Sequence, residues 1–186
     1  KRVATLGMVC AGILSMTLIS AVNQSAAIEK RTLQMSTISP PDNLWSKAGA
    51  RYADAVKQRT GGNVTIEIAY SGSTGTARET IEALQIGTND IVIQTIARLG
   101  VYDPLPGIAA YPYLIRDIDH FRNVYSGPVG KEFVDEVEKR TGFHVIGAGY
   151  RGAREMASKK KIVTPDDLKG VKIRVPNTKL YRRTWE

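Results

Sequence analysis

From residue 31 the chain switches repeatedly between two hydrophobic periods. "RTLQMSTIS" (31–39), "NVTIEIAY" (63–70) and "DIVIQTI" (90–96) combine β-branched residues with alternating or continuous apolar positions, which predicts three strands. Between the first two, Trp45, Gly49, Tyr52, Ala53 and Val56 recur at helical spacing behind Pro40, Pro41 and Asp42, and Gly61-Gly62 closes the helix. The loop "SGSTGT" leads into a second helix carrying Ile81, Leu84 and Ile86, ended by Gly87. After a proline-broken stretch, "DIDHFRNVY" and "VGKEFVDEVEKR" predict two more helices, and "FHVIGAG" (143–149) predicts a fourth strand beyond Gly142. Strands alternating with helices in this order define an α/β sheet covered by helices.

The character changes after Gly149. "YRGAREMASKKKIV" is basic and extended, and "TPDDL" opens a helical turn with Thr164 as N-cap, Pro165 at the first position and Asp167 three residues after the cap. In "KGVKIRVP", Val171, Ile173 and Val175 alternate with Lys172 and Arg174, the pattern of a half-buried strand stopped by Pro176. Alternation alone leaves Arg174 with two readings, a solvated face or a binding group at a strand end. We expect a first α/β lobe over residues 28–150 and the opening of a second, incomplete one over residues 151–186.

The first 27 residues follow a different rule. "KRVATLGMVCAGILSMTLISAVNQSAA" has two basic residues, an apolar run, a polar break and a small-residue end, with Ser25 and Ala27 suited to the positions three and one before a cut. This is the architecture of a cleaved secretory signal peptide, which implies export to the periplasm. Cys10, the only cysteine, lies early in the apolar run, so the exported chain is expected to have neither thiol nor disulfide. Lysine and arginine number 26 against 18 acids, a formal charge of +8, part of which Lys1 and Arg2 contribute within the leader. The remaining bases are scattered apart from Lys159-Lys160-Lys161 and Arg182-Arg183, only 7% of residues are aromatic, and no nucleic-acid motif is present. A nucleic-acid partner is therefore not expected; a mildly basic surface suits small anions.

Catalytic signatures are lacking. "SGSTGT" has neither the Lys-Ser/Thr of a P-loop nor the spaced glycines of a dinucleotide fingerprint, and reads as a strand-to-helix turn. His120 and His144 stand apart with no paired metal-ligand spacing, and no nucleophile elbow occurs. No enzyme activity, cofactor or metal is expected.

Three stretches together carry a resemblance. "YADAVKQRTGGNVTIEIAYSGSTGTARETIEALQIGTNDI", "AAYPYLIRDIDHFRNVY" and "REMASKKKIVTPDDLKGVKIRVPNT" are similar, in order, to landmarks of the dicarboxylate-type periplasmic solute-binding proteins of TRAP (tripartite ATP-independent periplasmic) transporters. The resemblance implies a periplasmic-binding-protein-like two-lobe α/β fold, here truncated in its second lobe. Such a protein is a monomer that closes on a small organic acid and passes it to the TRAP permease membrane subunits. It also implies site residues. Arg174 occupies the position whose arginine pairs with the substrate carboxylate, Arg154 that of a second cleft arginine, and Arg98 that of a third cation. Gln94 and Thr95 fall where the strand end touches ligand. Beside them, Trp45 is a candidate for the pocket lining as an aromatic residue.

Each assignment has a competitor. Arg151 and Lys159 compete with Arg154, and Asp90 or Asp103 offers Arg98 a structural pairing. Trp45 and Tyr70 suit either a pocket lining or a core, and Tyr150 suits either a pocket wall or hinge packing. Thr95 stands where sialic-acid binders carry an acidic residue, which argues against that substrate. An exported sensor module that reports ligand to a membrane receptor is the alternative function.

Overall fold

A computed structural model describes residues 28–185. The leader assigned to residues 1–27, with Cys10, lies outside the described residues. Three parallel strands, β1 (Arg31–Thr37), β2 (Val64–Ala69) and β3 (Ile91–Ile93), form one sheet in the order β2-β1-β3. In register, Met35 of the central strand faces Ile68 on one side and Ile91 on the other.

Each crossover is helical. Helix α1 (Leu44–Arg59) joins β1 to β2, and α2 (Ala77–Gln85) joins β2 to β3. The two connections run in opposite directions across the sheet, so crossovers of one hand put their helices on opposite faces. Successive residues of β1 bear this out, because side chains alternate across a strand. Met35 is buried toward α1, its Sδ close to Gly49. Ser36 points the other way: its hydroxyl donates to Asn89 Oδ1 at 3.2 Å, and the Asn89 amide donates to the Thr80 carbonyl of α2 at 3.5 Å. Gly49 permits a close approach, since a Cβ there would sit 2.5 Å from Ile93 Cδ1 and 3.3 Å from Met35 Sδ.

The helix starts follow their capping chemistry. Asn43 accepts from the Trp45 N–H, and a capping box of Thr76 and Glu79 opens α2. "SGSTGT" is therefore a turn that feeds a cap, as the sequence predicts. Helices α3 (Ile118–Tyr125) and α4 (Pro128–Thr141) follow, the latter ended by Gly142 in the left-handed region at φ 75°. On the α2 side, Ile81, Leu99 and Val137 form the buried core, with Val92, Ile96, Tyr102, Leu105, Phe133 and Phe143 packed around it.

Three expectations change. The third strand ends at Ile93, not Ile96, because β1 offers it only Met35, Ser36 and Thr37 as partners; the chain then winds into a 3₁₀ segment, Ile96–Val101. The strands predicted over "FHVIGAG" and "KGVKIRVP" do not form. An alternating run becomes a strand only when a neighbour completes its hydrogen bonds, and no partner strand lies beside either run among the described residues. The alternation itself persists: Val171, Ile173 and Val175 are half-buried while Lys172 and Arg174 are exposed. The turn opened by Thr164 is a single 3₁₀ turn, Pro165–Leu168, and the chain ends in a short helix, α5 (Lys179–Arg183). No helix among the described residues is long and apolar enough to cross a membrane.

Candidate functional site

In an open parallel sheet, ligands favour the crevice outside the carboxyl ends of strands whose connections diverge to opposite faces. Here that point lies between β1 and β3. The chain leaving β1 enters α1, which places Trp45 in the first helical turn, four residues before Gly49 and on the same helix face. The chain leaving β3 supplies Gln94 and Thr95 at once, and Arg98 from the following 3₁₀ turn, whose N–H donates to the Thr95 carbonyl at 3.0 Å.

Arg98 is half-buried and is the electrostatic centre of the site. Burial lowers the pKa of its guanidinium, and Arg174, Arg154 and Arg151 lower it further by repulsion; the Tyr181 oxygen partly offsets them. The charges at positions 151, 154 and 174 are thus all felt at Arg98. None of these four arginines has a carboxylate within ion-pairing distance among the described residues. The pairings weighed for Arg98 are otherwise engaged. Asp90 accepts from the Gln34 N–H at 2.8 Å and Asp103 from the Leu105 N–H at 2.8 Å. Both are hydrogen-bonded to the backbone and leave the guanidinium unmatched.

Two of the arginines rest on aromatic rings. Arg151 lies over Trp45, 4.9 Å from the ring centroid, and Arg154 lies over Tyr181 at 4.5 Å. Arg154 Nη2 also donates to Tyr181 Oη at 3.0 Å. A stacked guanidinium is fixed in its plane while its donor edges stay available. Gln94, just past the end of β3, holds a buried Nε2 with no hydrogen-bond partner among the described residues. A buried donor without an acceptor costs about 1–3 kcal/mol, which an acceptor on a ligand would recover. The arrangement offers several cationic donors with no ion-paired carboxylate among the described residues: it is suited to an acceptor-rich anion.

Arg98, Arg154 and Arg174, singled out from the sequence, fall in one neighbourhood, with Trp45 joined to it through Arg151. Arg151 and Arg154 both act on Arg98, so this electrostatic relation does not choose between them. Tyr181 was not anticipated; its one signal in the sequence is its place three residues after the cap Thr178, which fixes its direction on α5. Tyr150 packs on Phe121, ring centroids 5.4 Å apart. Grooves of about 500 Å³ beside Asp54 and Gly61, and of about 430 Å³ beside Phe121 and Tyr150, include none of the arginines of the cluster. The described residues contain no group of three or more metal-ligating side chains.

Comparison with known proteins shows the family of the chain. Residues 35–186 match the family of bacterial extracellular solute-binding proteins, family 7, and the chain belongs to that family. It is a family of binding proteins and not of enzymes. A solute-binding protein of Roseobacter denitrificans is 29% identical over 175 residues, 94% of this chain and 54% of the relative. A TRAP periplasmic solute-binding protein from the same organism, crystallised with bound L-galactonate, superposes with a TM-score of 0.79 at 27% identity, covering 85% of this chain and 52% of that one. Another, from Ochrobacterium anthropi with bound L-fuconate, gives a TM-score of 0.73 at 32% identity, covering 83% and 51%. The fold is therefore that of the TRAP periplasmic binding proteins, and the chain spans about half the length of these relatives.

Proposed function

We propose that this protein is an extracytoplasmic solute-binding component of a TRAP-type transporter. In this reading it captures a small organic acid by arginine–carboxylate pairing and hands it to membrane permease subunits. The single observation that carries the reading is a half-buried Arg98 that feels the charges of Arg174, Arg154 and Arg151, with no carboxylate within ion-pairing distance of any of the four among the described residues. Cations left in that state are relieved by an incoming anion, and a guanidinium fork matches a carboxylate through two parallel hydrogen bonds.

In this proposal Arg174 and Arg154 clamp the carboxylate, Arg98 supplies charge from the β3 side, and Gln94 and Thr95 accept or donate to the ligand's other oxygens. Trp45 acts as wall and as support for Arg151. Residues 28–150 form the first lobe and residues 151–186 open the second. Their arginines lie on both sides of the division, so neutralising them draws the lobes together, a hinge closure. Residues 1–27 direct export to the periplasm. The acids bound by the relatives, L-galactonate and L-fuconate, make sugar acids the first candidates.

The test is calorimetry and thermal shift with a panel of organic acids that includes both of these. Stabilisation should rise with acid concentration as linkage requires. Arg174→Ala should weaken binding by about 2–5 kcal/mol, at least about thirtyfold. Unchanged affinity in that variant would remove Arg174 from the site, and indifference to the whole panel would refute the acid-binding reading.

A further inference from the structure

Arg154 and Tyr181 stand out because two independent contacts join them across a long stretch of chain. The ring lies 4.5 Å beneath the guanidinium carbon, and the phenol oxygen accepts from Nη2 at 3.0 Å. Arg154 comes from a segment with no regular structure and is exposed. On such a segment a long side chain samples many rotamers, and ordering it on binding costs affinity. Tyr181 is the opposite kind of residue: only 8% exposed, on α5, which packs on the 3₁₀ segment Leu105–Ala110. A rigid, buried ring is a platform, and the phenol gives that platform an orientation.

We propose that Tyr181 is the positioning residue of Arg154, fixing the plane of its guanidinium by stacking and its rotation by the hydrogen bond. Arg154 then presents its other N–H donors to the anion already ordered. A guanidinium has five such donors, and among the described residues Tyr181 is the one hydrogen-bond partner of this side chain. The Arg151–Trp45 pair shows what stacking alone provides. Its separation is similar, 4.9 Å, but no hydrogen bond joins the two. Arg151 is thus held in plane but free to rotate, whereas Arg154 is held in both senses. The importance of this for ligand capture rests on the acid-binding reading; the positioning itself does not.

The experiment separates those two. Phenylglyoxal labels accessible guanidinium groups, and the rate at each arginine is followed by mass spectrometry of peptides from the full chain. Tyr181→Phe keeps the stack and loses the hydrogen bond, so Arg154 should label about threefold faster. Tyr181→Leu loses both and should give about tenfold or more, in line with a charged hydrogen bond plus a cation–π contact. Arg151, stacked on a different ring, should label at its original rate in both variants. Equal Arg154 rates in the three proteins would overturn the proposal, and so would a parallel rise at Arg151, which would mark Tyr181 as a packing residue only. A double-mutant cycle in L-galactonate affinity adds the functional arm. Tyr181→Phe should weaken binding about tenfold with Arg154 present and not in the Arg154→Gln background; equal losses in both backgrounds would overturn the positioning role. If the unmodified protein fails to bind L-galactonate while the labelling rates behave as stated, the choice of acid is wrong and the positioning stands.

Discussion

Replacing Arg98 with methionine should move stability and binding in opposite directions. Methionine keeps an aliphatic stem of similar length and removes the charge. In the unliganded protein that charge is half-buried, repelled by Arg174, Arg154 and Arg151, and without a carboxylate partner. A base whose pKa is lowered on folding is a destabilising contribution at every pH below that pKa, hence across the neutral range. The three neighbours are exposed and screened, so each repulsion belongs at the low end of surface-pair energies, about 0.2–1 kcal/mol. Together they make Arg98→Met about 1 kcal/mol more stable than the parent, a rise of about 2–4 °C in Tm for a chain of this size. The gain should shrink in high salt, where the Debye length drops to about 3 Å at 1 M. Bound acid reverses the sign: the same variant should lose about 2–5 kcal/mol of affinity. The assay is thermal unfolding at low and high salt, with and without a saturating organic acid. A lower Tm for Arg98→Met at low salt, or a gain indifferent to salt, would refute the repulsion on which the site is built.

Gly130 is packed against the preceding helix so closely that a Cβ would lie 2.6 Å from Tyr125 Cα. Gly130→Ala should therefore cost about 1–3 kcal/mol in urea unfolding despite alanine's better helix propensity. The Asp167 carboxylate is held below the usual range by the N–H groups of Thr164 and Val163, which donate to it at 2.9 and 3.0 Å. A depressed carboxylate contributes stability above its unfolded pKa and loses it as pH falls through the folded one. Amide-exchange protection at Val163 and Thr164 should accordingly weaken as the pH falls below the ordinary aspartate value, and should be absent at neutral pH in Asp167→Ala, which removes the acceptor altogether.

Much of the fold was legible because local and tertiary signals agreed. Helix α1 carries its apolar face, its Pro40-Pro41-Asp42 lead-in and the Gly61-Gly62 stop within one short stretch, and the strands on either side contain β-branched residues. The runs 143–149 and 171–175 carry an equally clear strand pattern, yet neither joins the sheet. A helix closes its hydrogen bonds within itself, whereas a strand borrows them from a neighbour. Periodicity can therefore announce a strand but cannot supply its partner. What survives of the pattern is burial, with Ile173 inward and Arg174 outward, and it is burial that delivers Arg174 to the site.

The site was legible in part for a related reason. Arginines at strand ends and beside glycines draw notice singly, but their charge becomes informative only when the fold reveals what is absent around them. Asp90 and Asp103 lie within a few residues of Arg98 in sequence, and proximity alone makes them natural partners. The fold instead directs both to backbone N–H groups of Gln34 and Leu105. In the proposed reading, that diversion leaves the cations available to an incoming anion. Had either aspartate swung to Arg98, the cluster would be internally neutralised and an incoming acid would have to displace it. Removing these acids should therefore leave acid affinity nearly unchanged: Asp103→Asn keeps an oxygen that can accept from Leu105 N–H and changes only the charge. Affinity that rises tenfold or more in Asp103→Asn would show the carboxylate competing for Arg98, and with it would go the premise that the cations wait unpaired.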